Sequence, residues 1–351
     1  MPWPLIKLLP KKTNFKFVRF AYFAAFLSVF AIIGSFVSMF TGGFRENPIA
    51  VYQQAEGGPF NRIGVILSHG FNLGIDFRGG TLLEVSAPDP IELATVRAAL
   101  AELDMGDVQV QAFGDPHHVL VRFHSVTESA ESALAHVREK LDAAVPQIRY
   151  VRTEVVGPKV SGELFASGLI ALGLAMLLML VYIWFRFELQ FGFGAVLSLF
   201  HDTILTLGLF SVMRIDFTLT IIAAVLTIIG YSMNDTVVVF DRLRENLRKY
   251  RKMPVADVID LSTNETLSRT MVTSVTALLA AVALWVYGGE TLRGFAIAMV
   301  FGIVMGTYSS IYVAAPSILL LGIRRGEKFG AGEAVESEKA GKTAAPKPKP
   351  G

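Results

Sequence analysis

Six apolar runs dominate the sequence, each close to or above the roughly 20 residues that an α-helix needs to cross a bilayer. They lie at residues 18–40, 164–185, 191–213, 217–240, 270–287 and 294–323. Hydrophobic residues make up 52% of the 351 residues and charged residues only 18%. One soluble core of this length could not bury that much apolar surface. We therefore expect a polytopic α-helical membrane protein with six transmembrane helices.

Lysine and arginine cluster at one end of the membrane region. They precede the first run and fill the segment after the fourth, whereas the connections after the third and fifth runs offer only Arg214 and Arg293. The positive-inside rule then places both termini and the 241–268 loop in the cytoplasm, with segment 44–160 across the membrane. The first run is followed by Thr-Gly-Gly rather than by a small-residue cleavage site, so we interpret it as an anchor and not as a signal peptide.

The runs and the charges together predict the order of the regions. We expect a cytoplasmic N terminus at 1–17, a first transmembrane helix at 18–40, a periplasmic domain at 44–160, a five-helix transmembrane bundle at 164–323 with the cytoplasmic loop 241–268, and a disordered cytoplasmic tail at 326–351. The tail contains charged and proline-rich stretches. The chain has no cysteine, which excludes disulfides, thiolate nucleophiles and cysteine-ligated metals.

The inserted segment has a regular pattern after a Gly-rich, turn-forming cluster at 74–80. Strands are predicted at 81–87, 108–113, 119–124 and 148–156, and helices at 91–103 and 128–144. Alternating apolar and polar residues support the two central strands. The order βαββαβ predicts an α+β ferredoxin-like core over about residues 80–157.

Three of the five histidines in segment 44–160 raise the question of a metal site. His117 and His118 fall in a predicted turn, and with His124 they have no acidic cluster at ligand spacing, so we interpret them as solvated turn residues. We expect no metal and no cofactor. The sequence also has no phosphate loop and no nucleophile–base arrangement, which argues against an enzyme, and we expect no nucleic-acid partner.

A carboxylate, Asp235, lies near the end of the fourth run. An ionisable side chain at that depth costs about 2.5–3.5 kcal/mol on insertion scales, so the default interpretation is functional. Arg269 opens the helix that returns from the 241–268 loop, and the two positions are nearly symmetric about that loop. An ion pair between them is therefore geometrically available. Snorkelling to the interface is the alternative role of Arg269.

Polar residues recur at helical spacing in the third and fourth runs. The third carries Ser198, Thr206 and, near its midpoint, His201 and Asp202; the stripe of the fourth is formed by Thr220, Thr227, Tyr231, Asn234 and Asp235. Polar groups that face lipid are expensive, so the stripes should face each other inside the bundle. Asn234 and Thr236 could instead make only structural interhelical hydrogen bonds.

Two further patterns have structural interpretations. Gly302 and Gly306 are spaced for close helix packing in the last run. Residues 241–245, which begin with Asp241 and Arg242, are typical of the start of an amphipathic interfacial helix.

Several short motifs together resemble a known family. They are Gly74-Ile75-Asp76-Phe77-Arg78-Gly79-Gly80-Thr81, His201-Asp202, Gly230-Tyr231-Ser232, Asn234-Asp235-Thr236, Asp241-Arg242 and Ser268-Arg269-Thr270. Over about residues 15–325 the chain is similar to the SecF family, the smaller membrane subunits of the SecDF accessory complex of the bacterial protein translocon. That family belongs to the resistance–nodulation–division superfamily, whose members use the proton gradient.

The resemblance implies an accessory subunit in the bacterial inner membrane that couples the proton gradient to the release of preproteins on the periplasmic side. The implied partners are SecD as a matching six-span half, the SecYEG translocon, YajC, unfolded preproteins and membrane lipid. The family's intramembrane acid and arginine map onto Asp235 and Arg269, with Asp202, His201 and Asn234 as further proton-coupling candidates. The coupling ion, H⁺ or Na⁺, stays open. Two alternatives also stay open: a small-molecule or lipid exporter half of the same superfamily, and a noncatalytic scaffold subunit.

Overall fold

The computed structural model describes residues 13–45, 47–54, 65, 69–101, 103, 108–124 and 130–320. The predicted tail at 326–351 and most of the predicted N terminus at 1–17 lie outside the described residues. In chain order the elements are α1 (Phe17–Phe40), α2 (Pro48–Gln54), β1 (Asn72–Leu73), α3 (Ile75–Arg78), β2 (Gly80–Ser86), α4 (Leu93–Ala101), β3 (Gln109–Phe113), β4 (Asp115–Phe123), α5 (Ala130–Ala144), β5 (Arg149–Val156), α6 (Pro158–Arg186), α7 (Leu189–Met213), β6 (Asp216–Phe217), α8 (Leu219–Lys249), α9 (Val255–Tyr287), α10 (Gly289–Ser309), a π-helical turn (Ser310–Ala314) and α11 (Ala315–Leu320).

Six helices in the described part of the chain are long and apolar enough to cross a membrane: α1, α6, α7, α8, α9, and α10 continued through the π-helical turn into α11. They coincide with the six apolar runs, which confirms a multi-pass membrane protein. The most buried of them are α7 and α8, and α6 is the least buried. The bundle is therefore centred on α7 and α8, with α6 at its periphery.

The segment predicted as a loop at 241–268 is mostly helical. Helix α8 continues to Lys249 and α9 already begins at Val255, so that only residues 250–254 connect them. The prediction was wrong because charged residues interrupt the apolar run, while apolar side chains continue at helical spacing. Leu243, Leu247 and Val258 are buried in the same core as the membrane-spanning residues. Residues 241–245 are likewise a continuation of α8 and not the start of a separate helix.

The inserted domain contains a four-stranded antiparallel sheet with the strand order β3-β4-β2-β5. Side chains on one face of the central strand β2, Leu83 and Val85, are completely buried against α4 and α5. Strand β4 begins at Asp115, four residues earlier than predicted, because Gly114 with a φ of +82° makes the reversal tight. His117 and His118 therefore lie in a strand and not in a turn, and His118 Nδ1 is 3.5 Å from Glu84 Oε1.

A second, two-stranded sheet joins the domain to the bundle. Strand β1, just before α3, pairs in parallel with β6, which lies in the connection between α7 and α8. Phe77 of α3 packs its ring against Phe217 of β6 and Phe165 of α6, at centroid distances of 5.9 and 5.5 Å. The domain is thereby held at the end of the bundle opposite the α8–α9 connection.

Candidate functional site

Helix α8 carries Asp235 on the side that faces α9. The residue is 3% exposed, and its carboxylate lies beside the hydroxyl groups of Thr273 and Ser274. Tyr231, one turn earlier on α8, approaches the same two hydroxyl groups. Oδ2 of Asp235 and the hydroxyl of Tyr231 are buried without a hydrogen-bond partner. A buried acid with an unsatisfied oxygen can bind a proton or attract a cation.

The cation available to Asp235 is Arg269 on α9. Both residues are equally far along the chain from Lys252, in the middle of the α8–α9 connection, so the two antiparallel helices hold them at comparable depth. Arg269 is close enough to act on Asp235 electrostatically. Its side chain is exposed, however, and among the described residues no ion pair within 4.0 Å joins the two. The structure thus holds the predicted partners apart.

The polar stripe predicted on α8 does not turn inward as a whole. Asp235 is buried, whereas Asn234, Thr227 and Thr220 are exposed. Adjacent residues on an α-helix point about 100° apart, so Asn234 and Asp235 belong to different faces. Thr236 is buried, but its Oγ1 has no hydrogen-bond partner. The polar residues that were predicted to face each other inside the bundle therefore form two surfaces, one inside the bundle and one on its outside.

The inside surface is centred on His201 and Asp202 of α7. Both side chains are at most 2% exposed, and His201 Nδ1 lies 2.8 Å from Asp202 Oδ1. Oδ2 of Asp202 accepts hydrogen bonds from Ser232 of α8, at 2.5 Å, and from Ser309 of α10, at 2.6 Å. On its other side His201 Nε2 lies 3.1 Å from the hydroxyl of Ser28 in α1. Four helices therefore meet at this pair.

Two glycines allow these helices to approach closely. A Cβ atom on Gly302 would lie 2.4 Å from the side chain of Ile228, and one on Gly306 would lie 2.9 Å from Cβ of Ser232. This confirms the packing role predicted for the pair. Because α10 touches α8 at Gly306, the Ser232 and Ser309 hydroxyls both reach Asp202.

Sequence reasoning did not include Ser28, Ser309 or Tyr308 among the candidate residues. Tyr308 stacks its ring on His201 at a centroid distance of 6.0 Å, and its hydroxyl is 3.0 Å from that of Ser28. The available signal was hydroxyl-bearing residues within apolar runs. That signal does not identify which helix they face.

The Gly-rich motif forms the joint between the domain and α8. Oδ2 of Asp76 accepts a hydrogen bond from the backbone N–H of Leu219, the first residue of α8, at 3.0 Å. A carboxylate at a helix N-terminus satisfies a free donor and complements the helix dipole. Gly79 and Gly80 follow with φ of +75° and +108°. A Cβ atom on Gly80 would lie 2.7 Å from the carbonyl oxygen of Phe123, so this turn into β2 requires glycine.

The motif at the other end of α8 ties that helix to its neighbours. Asp241 pairs with Arg186 at the end of α6, with Nη2 to Oδ distances of 2.6 and 2.5 Å. Arg242 donates from Nε to Glu265 of α9 at 2.7 Å and from Nη1 to Glu245 at 2.5 Å. These pairs join the C-terminal part of α8 to α6 and α9, roughly 9 Å or more along the helix from Asp235.

The described residues contain no group of three or more His, Asp or Glu side chains that could hold a metal ion. The buried groups of the membrane helices include carboxyl, imidazole and hydroxyl groups, which can exchange protons. Fold and site together define a multi-pass membrane protein in which an α+β domain is attached to a bundle with buried ionisable groups.

Comparison with known proteins identifies the family. Residues 136–324 match the family described as protein export membrane protein SecD/SecF, C-terminal, and residues 64–87 match the SecD/SecF GG motif. The protein translocase subunit SecF of Cereibacter sphaeroides is 43% identical over 330 residues, covering 92% of this chain and 94% of its own length. The SecF subunit of Rickettsia akari is 40% identical over 322 residues, covering 91% of this chain and 96% of its own length. The chain belongs to the SecF family, as its motifs predicted.

A solved structure is similar over most of the chain. The crystal structure of SecDF, a translocon-associated membrane protein from Thermus thermophilus, superposes with a TM-score of 0.71 and 31% identity over 91% of this chain. A SecDF structure in a super-membrane-facing form gives a TM-score of 0.56 at 30% identity. This chain spans 40% of the first SecDF chain and 41% of the second.

Proposed function

We propose that this chain is an accessory subunit of the Sec protein-export machinery that couples the proton gradient to preprotein translocation, without enzymatic chemistry of its own. In this proposal Asp235 takes up and releases the coupling proton, and Arg269 is its cationic partner when it is ionised. One observation carries the proposal: Asp235 is 3% exposed and its Oδ2 has no hydrogen-bond partner. A carboxylate in such a position needs a proton or a cation.

The two protonation states of Asp235 favour different arrangements of α8 and α9. The ionised carboxylate attracts Arg269, whereas the neutral acid does not. One proton that crosses a potential of 100 mV supplies about 2.3 kcal/mol. That free energy changes an equilibrium between two packings on the order of 50-fold, which is enough to drive a conformational cycle.

The N-terminal end of α8 provides the route to the inserted domain. From Asp235 to Leu219 the helix rises roughly 24 Å and acts as a rigid rod. Its first N–H group is bonded to Asp76, and Phe77 packs against Phe217 just before the helix. A shift of α8 would therefore move the base of strand β2. His201, Asp202 and Asn234 are further proton-coupling residues in this proposal.

We propose that the inserted segment is a ferredoxin-like periplasmic domain of a bacterial inner-membrane protein whose termini are both cytoplasmic. The antiparallel strand order β3-β4-β2-β5, with α4 and α5 on one face, supports this fold. Six basic residues lie where α8 and α9 meet, at the end opposite the domain, and the positive-inside rule supports a cytoplasmic position for them. They are Arg242, Arg244, Arg248, Lys249, Arg251 and Lys252.

The outside surface of α8 and α9 is the proposed contact with SecD. It exposes polar or small residues at mid-helix positions: Thr227, Gly230, Asn234, Arg269 and Thr276. Polar groups at this depth are costly against lipid and are expected against a second helical half. This chain spans 40% of the SecDF chain, which leaves room in that chain for a second helical half of similar size. SecYEG, YajC, unfolded preproteins and membrane lipid complete the proposed set of partners.

The proposal is tested by the response of export to a proton gradient. Membrane vesicles or proteoliposomes that contain the full complex are compared with and without a gradient, and translocation of a precursor is measured. We expect Asp235→Asn to abolish the stimulation while expression and assembly stay normal. Arg269→Lys should be impaired despite its conserved charge, because guanidinium geometry differs from that of an ammonium group.

The matched control is Glu245→Gln, which removes an exposed acid from the same helix and should respond to the gradient as the parent does. A gradient response retained by Asp235→Asn would exclude the coupling role and leave a scaffold subunit. Replacing the proton gradient by a sodium gradient in the parent distinguishes the two coupling ions. Gradient-driven efflux of a small apolar probe, without any effect on the precursor, would favour the exporter alternative.

A further inference from the structure

The hydrogen bonds around His201 form a chain in which the position of each proton can be deduced. The hydroxyl of Tyr308 lies 2.8 Å from the backbone carbonyl of Ala24 in α1. A carbonyl can only accept, so this bond uses the one proton of Tyr308. The contact of 3.0 Å between Tyr308 and Ser28 therefore requires Ser28 to donate.

The same reasoning determines the tautomer of His201. Because the proton of Ser28 points to Tyr308, the contact of 3.1 Å between Ser28 and His201 requires a proton on Nε2. Stacking against Tyr308 holds the imidazole ring in this orientation. His201 is thus a donor towards α1, and its Nδ1 faces Asp202.

Asp202 and His201 share one further proton. Oδ2 of Asp202 already accepts protons from Ser232 and Ser309, which leaves Oδ1 at 2.8 Å from Nδ1. Two bare acceptors would repel each other at that distance, so one proton lies between them. With Nε2 also protonated, the pair has no net charge whichever atom holds the shared proton. A buried site without a counterion favours such a neutral pair.

No basic side chain in the described part of the chain forms a hydrogen bond or ion pair with these two residues. Ser28 from α1 is not titratable, and α10 contributes Tyr308 and Ser309. On α8 the nearest acid is Asp235, one turn from Ser232. The charge of the pair is therefore set by its own protons.

We propose that the His201–Asp202 pair releases a proton through the Ser28–Tyr308 hydroxyl chain, and that release reverses this chain and detaches Tyr308 from Ala24. This inference rests on the proposed function and extends it to residues of α1 and α10. In the step, Nε2 passes its proton to Ser28, Ser28 passes its own proton to Tyr308, and Tyr308 passes its own to a water molecule. Only O–H and N–H bonds are exchanged, and nothing is oxidised or reduced.

The reversed chain has a different set of contacts. Ser28 now donates to the bare Nε2, Tyr308 donates to Ser28, and the shared proton stays on Nδ1, bonded to the carboxylate of Asp202. The bond from Tyr308 to the carbonyl of Ala24 is lost. Proton occupancy of the pair is thereby coupled to a contact between α10 and α1, the helix that leads into the inserted domain.

The tautomer of His201 can be measured directly. The full-length chain is labelled with ¹⁵N-histidine and placed in lipid nanodiscs, and the signals of His201 are identified by their loss in His201→Gln. Only six histidines contribute to the spectrum. We expect a protonated Nε2 at low pH, and a single reversible step to a bare Nε2 with a protonated Nδ1 as the pH rises.

Tyr308→Phe should shift the midpoint of this step to lower pH, because Ser28 is then free to donate to Nε2 and stabilises its bare form. The control is Ser38→Ala, which removes another buried hydroxyl bond between α1 and α7, from Ser38 to Ser211 at 2.8 Å. It should leave the midpoint unchanged. Equal midpoints in Tyr308→Phe and Ser38→Ala, or a bare Nε2 at low pH, would overturn the inference.

A second variant covers the case in which Tyr308→Phe does not fold. Ser28→Ala interrupts the chain, and exchange of the Nε2 proton with solvent should then be slower than in Ser38→Ala; an equal rate contradicts the proposed path.

The outcome of these measurements can be distinguished from failure of the proposed function. If the tautomer changes as expected while Asp235→Asn keeps its gradient response, only the proposed function fails.

Discussion

Arg122 of strand β4 and Asp216 of strand β6 form a bidentate ion pair that joins the sheet of the inserted domain to the connection between α7 and α8. Nη1 of Arg122 lies 2.9 Å from Oδ1 of Asp216, and Nη2 contacts Oδ2. Asn72 of β1 donates to the same carboxylate at 2.5 Å. One carboxylate thus binds both the sheet and the segment that leads into it, at the point where the bundle ends.

We expect Asp216→Asn to loosen this attachment. The pair is largely shielded from water, and the loss of charged hydrogen bonds of this kind costs about 1.5–3 kcal/mol. Hydrogen–deuterium exchange of the backbone amides in β1 and β6 should become faster. The control is Glu154→Gln, whose partner Arg152 lies on the same strand; both side chains are more than a third exposed, so that little free energy is at stake. If hydrogen–deuterium exchange is unchanged in Asp216→Asn, the Arg122–Asp216 pair does not contribute to this attachment.

Replacement of Asp76 should destabilise the start of α8. Loss of a capping side chain typically costs about 0.5–2 kcal/mol, so Asp76→Ala should lower the thermal stability of the protein in nanodiscs. Asp76→Asn keeps an acceptor and should lose less. Asp89→Asn, at an exposed position after β2, is the control. If Asp76→Ala is as stable as Asp89→Asn, the bond to Leu219 does not stabilise the helix.

The turn at Gly80 should not accept a side chain. Its φ of +108° and the 2.7 Å distance to the Phe123 carbonyl oxygen would force the backbone to move in Gly80→Ala, at a cost of about 1–3 kcal/mol. Gly157→Ala is the matched change directly after Val156, the residue of β5 that pairs with Gly80, and a Cβ atom there would meet nothing within 4 Å. We expect a lower unfolding temperature and a lower yield only for Gly80→Ala. Similar losses in both variants would contradict this account of the motif.

Topology can be tested by single cysteines, because the chain has none. Asp115→Cys lies in the inserted domain and Lys249→Cys lies at the end of α8. In intact spheroplasts we expect a membrane-impermeant maleimide to label the first and not the second, and to label both after the membrane is permeabilised. Labelling of Lys249→Cys alone in intact cells would reverse the proposed orientation.

Much of the architecture follows from local properties of the sequence. A span is recognised from its length and composition because the bilayer replaces tertiary contacts as the apolar environment. For the same reason Asp235 and Asp202 were recognisable as exceptional before any contact was known. The length of α8 beyond Phe240 was not predictable from apolarity, since Leu243 and Leu247 are buried by protein and not by lipid. The early start of β4 depended on the tight reversal at Gly114.

The direction in which each polar side chain points could be determined only from the folded bundle. Asn234 and Asp235 are neighbours in the sequence, yet Asn234 is exposed and Asp235 is buried. Their side chains point about 100° apart around the helix axis. Which of the two directions faces the interior depends on where α9 packs, and the sequence does not give that position. The partners of His201 and Asp202 come from α1, α8 and α10, and Gly306 allows α10 to approach α8 closely. Apolarity therefore determines which segments can span the membrane, whereas helix packing over long sequence separations determines which polar side chains meet.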